Sequence, residues 1–121
     1  MAISIECTRS GELAFLDLEG ELDEQGAADL KTRALGLVVT GCNEISLNLE
    51  RVARVSTEAC DAMVRIEAML PGPKSALDII GPSLEVRRQL EEFGLGEFVK
   101  GARNLDYADQ MFGLGLVSAG S

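Results

Sequence analysis

The sequence predicts an α/β fold in which a mixed, mostly parallel β-sheet is begun by an antiparallel hairpin strand and accompanied by about four helices. Three observations carry this expectation. Stretches of alternating apolar and polar residues recur along the chain, separated by stretches with apolar residues at helical spacing. Strands that alternate with helices pair in parallel through crossovers, so only the first two, joined by Ser10-Gly11-Glu12, can form a tight hairpin. The chain has 121 residues and no repeat, linker or low-complexity run, which suits one hydrophobic core. A single domain over 1–121 is expected, with its core at about 10–115 and a flexible tail over 115–121.

Taken in order, residues 2–9 alternate Ile3, Ile5 and Cys7 against Ser4, Glu6 and Thr8, the period-two signature of a strand. Residues 13–20 form its hairpin partner, with Ala14, Leu16 and Leu18 on one side and Leu13, Phe15 and Asp17 on the other. Asp23 stands where a helix N-cap belongs. Ala27, Leu30, Ala34 and Leu37 or Val38 then follow helical spacing until Gly41, with Gly26 and Gly36 weakening the helix by up to about 1 kcal/mol each. Residues 44–50 read as a strand, 51–55 as a short connection, and a helix begins at Thr57. Its stripe of Ala59, Met63, Ile66 and Leu70 faces the core, leaving Glu58, Asp61 and Arg65 solvated. "PGPK" at 71–74 breaks that helix, and 75–80 read as a strand. Ser83 caps a third helix carrying Val86, Leu90 and Phe93, ended by Gly94. Residues 96–101 suit a short edge strand, and 105–114 a last helix.

Composition excludes several functions. Twenty acidic residues against eleven basic ones give a formal charge of −9, which repels nucleic-acid backbones and anionic membrane surfaces but leaves a protein partner with a basic patch open. Hydrophobic residues make up 46%, ordinary for a globular chain, yet aromatics are only 4%, so aliphatic side chains must build the core. No histidine is present, which removes the commonest general base, the Ser-His and Cys-His nucleophile pairs and most zinc sites. Cys7, Cys42 and Cys60 form neither a CxxC pair nor an even framework, and each reads as a small buried hydrophobe in a reducing compartment. The first ten residues lack a basic, apolar leader pattern, and no apolar window reaches the roughly 18 residues that span a bilayer. The expectation is a cytoplasmic protein without membrane insertion, metal, cofactor or enzymatic activity.

One join carries the functional question. In "RVARVSTEACDAM" (51–63), two hydroxyls and a carboxylate, Ser56, Thr57 and Glu58, sit where a strand gives way to a helix. Either Ser56 or Thr57 caps the helix while Glu58 complements its dipole, or Thr57 is a position that a partner reads or modifies. A phosphate there would add about −1.5 to −2 charges at the helix start. Asp23 raises the same pair of readings, as a simple cap or as an acidic group at the carboxyl edge of a strand, where open α/β sheets place ligands. "PGPK" and "FGLGEF" match no phosphate-binding glycine motif and read as turns, and the Glu91-Glu92 pair reads as surface charge.

Three stretches resemble the STAS domains, a family named for sulfate transporters and anti-sigma factor antagonists. "LEGELDEQGAADLK" (18–31) is similar to the family's strand-to-helix pattern G-E-L-D. "EISLNLERVARVST" (44–57) is similar to its central strand, five-residue connection and phosphoacceptor turn, and "GPSLEVRRQLEEFGLGEFV" (81–99) to its later helix and G-L ending. Against the family's D-S-S-G-L or D-T-x-G-L turn, this chain has Ser56-Thr57-Glu58-Ala59-Cys60, so the resemblance puts Thr57 at the phosphoacceptor position. Ser56 replaces the usual Asp, Glu58 a small polar residue and Ala59 the Gly. The resemblance implies a STAS-like fold and a non-enzymatic antagonist. It implies docking on a serine/threonine kinase-type anti-sigma factor through Asp23, Ser56, Thr57, Glu58, Asp61 and Arg65, with phosphorylation of Thr57 as a control. Its alternative implication is an accessory subunit that holds the ATPase of an ABC-type lipid transport system, with Thr57 a contact that is never phosphorylated.

Overall fold

A computed structural model describes residues 3–71 and 76–100. Strand β1 (Ser4–Ser10) turns at Gly11 and Glu12 into β2 (Leu13–Leu22), pairing antiparallel from Ser4↔Glu19 to Ser10↔Leu13. Gly11 has φ +63°, a left-handed conformation that costs glycine little. Helix α1 (Glu24–Val39) leads to β3 (Glu44–Val55), α2 (Thr57–Met69) to β4 (Leu77–Ile80), and α3 (Leu84–Glu92) to β5 (Val99–Lys100) through a 3₁₀ turn at Gly96–Phe98. Among the described residues the sheet has five strands in the order β1-β2-β3-β4-β5, with β2 to β5 parallel. The mixed, mostly parallel sheet is therefore as expected. Three α-helices fall among the described residues, and the helix expected at 105–114 lies outside them.

Alternation along the strands shows how the layers stack. Ala14, Leu16 and Leu18 of β2, Ile45, Leu47 and Leu49 of β3, and Leu77 and Ile79 of β4 are fully buried. They share one core with Ala27, Leu30 and Ala34 of α1, Ala59, Met63 and Ile66 of α2, and Val86 and Leu90 of α3. Between them, Phe15, Asp17 and Asn48 are half-buried, so the described helices cover one face of the sheet. Each helix starts on a side-chain cap of about 1 kcal/mol: Gly26 N–H donates to Asp23 Oδ1 (2.8 Å), Ala59 N–H to Ser56 Oγ (3.1 Å), and Val86 N–H to Ser83 Oγ (3.2 Å).

Four expectations are corrected. Residues 51–55 are not a connection: β3 runs on to Val55, pairing Glu19↔Arg51, Gly20↔Val52 and Leu22↔Val55. Shifts in register between Asp17 and Glu19 and between Gly20 and Glu21 set twelve residues of β3 beside ten of β2. Those bulges bring Val52 and Val55 both inward, although an odd spacing would send them to opposite faces of a regular strand. Cys7 is exposed on edge strand β1, while Cys42 and Cys60 are buried. Phe93, expected on the core stripe of α3, is the C-cap of that helix and is 39% exposed. Within the expected edge-strand stretch, Gly96–Phe98 form the 3₁₀ turn and, among the described residues, Val99–Lys100 are extended.

Gly26 also has a packing reason to lack a side chain. A Cβ there would sit 3.1 Å from Ile3 Cγ2 and 3.2 Å from Leu22 Cδ1, where β2 delivers the chain into α1. At the other end of α1, Arg9 clamps the hairpin to the helix terminus. Its guanidinium donates to Thr40 O and Thr40 Oγ1, both at 2.7 Å, and to Gly11 O at 3.0 Å. A cation there also complements the helix C-terminal dipole.

Candidate functional site

The last paired residues of β2 and β3, Leu22 and Val55, stand side by side, so the two chains leave the sheet together. Ser56 N–H donates to Leu22 O at 2.9 Å, fastening one exit to the other. Asp23 and Ser56 follow as N-caps, which sets the first turns of α1 and α2 next to each other at the carboxyl edge of the parallel strands. Two neighbouring helix starts add a field that favours negative charge.

Ser56 and Thr57 divide the work that the sequence left open. The half-buried Ser56 is the N-cap, with its Oγ taken by Ala59 N–H. Thr57 is the first residue of α2 and is exposed, as are Glu58, Asp61 and Arg65. Because Ser56 does the capping, the Thr57 hydroxyl is not needed for that task.

Thr57, Glu58 and Asp61 line an open hollow of about 450 Å³ with Glu24 and Lys31 of α1 and Phe93. Asp23 and Ser56 share a smaller neighbouring hollow of about 280 Å³ that also takes in Arg54. Arg65 lies further along the seam between α1 and α2, joined to the first hollow by its 2.9 Å ion pair with Asp61. The six sequence candidates thus occupy one continuous surface but not one cavity. Sequence reading missed Lys31, which it left on the wet side of α1, and Phe93, which it assigned to the core. The one available signal for Phe93 was its place between Glu92 and Gly94, at the end of a helix rather than within it.

Beneath the surface, burial pushes the Cys60 thiol up to about 11, and the nearby Glu92 carboxylate adds to the rise. Cys60 is therefore a neutral packing group, and Phe93, lining one hollow with Thr57, Glu58 and Asp61, sets the end of α3 beside the first turn of α2. Among the described residues no group of three or more His, Cys, Asp or Glu could hold a metal, and no helix is long and apolar enough to cross a membrane. The surface offers hydroxyl, carboxylate, ammonium and aromatic contacts.

A family model described as Mlab, STAS domain, matches residues 5–100. The chain belongs to the STAS domain family. The STAS domain's solved structural relatives include the anti-sigma factor antagonist SpoIIAA in its unphosphorylated form, at 17% identity and TM-score 0.73, with 88% of this chain and 97% of that one covered. SpoIIAA in its phosphorylated form, the Bacillus cell fate determinant, matches at 18% identity and TM-score 0.66, over 88% of this chain and 99% of that one. An anti-sigma factor antagonist from Mycobacterium paratuberculosis matches at 16% identity and TM-score 0.69, over 79% and 81% of the two chains. At these identities the likeness is one of fold. No curated protein sequence matches the chain.

Proposed function

We propose that this STAS domain is a non-enzymatic, cytoplasmic regulatory protein that docks a serine/threonine kinase-type anti-sigma factor, and that phosphorylation of Thr57 releases it. The observation that carries the reading is the division of labour at the start of α2, where Ser56 caps the helix and Thr57 faces solvent. Glu58 and Asp61 share the hollow of Thr57, Arg65 joins it through its ion pair with Asp61, and Asp23 and Ser56 border it. The likeness to SpoIIAA, solved in unphosphorylated and phosphorylated forms, supports the same reading. A phosphate on Thr57 would put a bulky, strongly hydrated group into the hollow that the partner must fill, so bulk and the cost of desolvation oppose docking there. Thr57→Glu is expected to weaken capture of the kinase-type partner about tenfold or more, and Thr57→Ala to preserve capture while abolishing phosphorylation. Calorimetric titration and phosphosite mass spectrometry check both. Equal affinity of Thr57→Glu and the unmodified protein contradicts the reading.

Glu58 favours a second reading. A permanent carboxylate beside Thr57 reduces the contrast that a phosphate could add, which suits a constitutive contact. In that case the same face holds the ATPase of an ABC-type lipid transport system, and Thr57 is never modified. Copurification of a permease and ATPase instead of a kinase and sigma factor decides between them.

A further inference from the structure

We infer that the seam between α1 and α2 is a groove that receives a short amphipathic helix from a protein partner, with basic residues over Glu24 and Glu58 and apolar residues over Leu35 and Met69. The inference rests on the docking function proposed above and names the chemistry of what docks.

Two hollows of about 450 Å³ each lie along this seam and share Lys31. The first contains Glu24, Thr57, Glu58 and Asp61, and the second contains Leu35, Arg65, Ala68 and Met69. The Asp61–Arg65 ion pair at 2.9 Å marks their junction. Ala28 and Ala62 in the first hollow and Ala68 in the second leave little bulk along the channel. From Glu24 to Leu35 the groove spans about 16 Å, or three helical turns. Its character changes in one direction: acidic at the helix starts, cationic at Lys31, and apolar at Leu35, which is 51% exposed.

That gradient selects the occupant. A helix laid in the groove meets carboxylates with its basic end, offers an acidic residue to Lys31 at its middle, and buries apolar residues against Leu35 and Met69. The net charge of −9 draws a basic segment and opposes a second copy of this chain, which would bring its own Glu24 and Glu58. Exposed helices packed side by side present ridges and grooves suited to a third helix.

The test is selection of helical peptides from a randomised display library on the full chain, followed by affinity measurement by fluorescence anisotropy. Leu35→Glu and Glu58→Lys variants, checked for folding by circular dichroism, serve as comparison proteins. The expected result is enrichment of peptides with cations at one end and apolar residues at helical spacing at the other, each losing about tenfold or more affinity for both variants. Failure to enrich peptides, or peptides that bind Leu35→Glu undiminished, overturns the proposal. A dimer that Leu35→Glu disperses in sedimentation reassigns the groove to a second copy. Competition by a synthetic peptide of residues 101–121 reassigns it to that segment, and either result overturns the partner assignment. Loss of kinase capture by Thr57→Glu without any effect of Leu35→Glu rejects the groove and leaves the proposed function standing. Groove-binding peptides in the absence of any kinase partner do the reverse.

Discussion

The Ser56 hydroxyl accepts the Ala59 N–H at 3.1 Å, whereas the neighbouring Thr57 side chain meets solvent. Deleting each hydroxyl should therefore have unequal consequences. Ser56→Ala is expected to lower stability by about 1 kcal/mol, and Thr57→Ala to change it by less than about 0.5 kcal/mol, as read from urea unfolding. A comparable loss from both would place the cap elsewhere. Cys60 makes a prediction against pH. Its thiol stands at about 11 in the folded chain against an ordinary value of 9.0, so the unfolded chain gives up that proton first as pH rises. Stability from this source is complete below pH 9 and is lost between pH 9 and about 11, by on the order of 2 kcal/mol. Cys60→Ala should flatten that part of a stability-versus-pH curve, measured by thermal unfolding.

Helix α1 carries two glycines in different surroundings. A Cβ at Gly36 would touch nothing within 4 Å, while one at Gly26 would press on Ile3 and Leu22. Gly36→Ala should therefore stabilise the protein by about 0.5–1 kcal/mol through helix propensity and a less flexible unfolded chain. Gly26→Ala should give less, because crowding offsets the same propensity gain. Chemical denaturation of the two variants checks the difference, and equal gains would remove the packing account of Gly26. Strand β3 shows why an element's end can be hidden. Its inward residues Ile45, Leu47 and Leu49 keep period two, but Val52 and Val55 follow after extra residues that only the pairing with β2 reveals. A bulge changes the phase of a strand, so a reader of local alternation stops at Glu50.

Across the molecule, the candidate surface around Thr57 is assembled from segments far apart in the chain. Thr57 and Asp61 come from α2, Glu24 and Lys31 from α1, and Phe93 from the end of α3. In a chain with 4% aromatic residues, an aromatic side chain left 39% exposed beside Thr57 suits a contact anchor. Phe93→Ala is expected to weaken partner binding about tenfold with a folding loss below about 1 kcal/mol. Calorimetry and thermal unfolding on the same variant separate the two effects. Unchanged affinity would make Phe93 a bystander.

Local chemistry announced the strands with regular alternation, the helix starts at Asp23 and Ser83, and the stripe of Ala59, Met63 and Ile66. These are short-range features, set by backbone sterics, capping hydrogen bonds and a periodicity that neighbouring residues display together. Thr57 and Asp61 could be paired in advance because one helix carries both. Folding decided which of Ser56 and Thr57 is the cap, that Cys7 is exposed, and that Phe93 belongs beside Thr57. Each depends on what a distant strand or helix places next to the residue, and no window of sequence contains that neighbour.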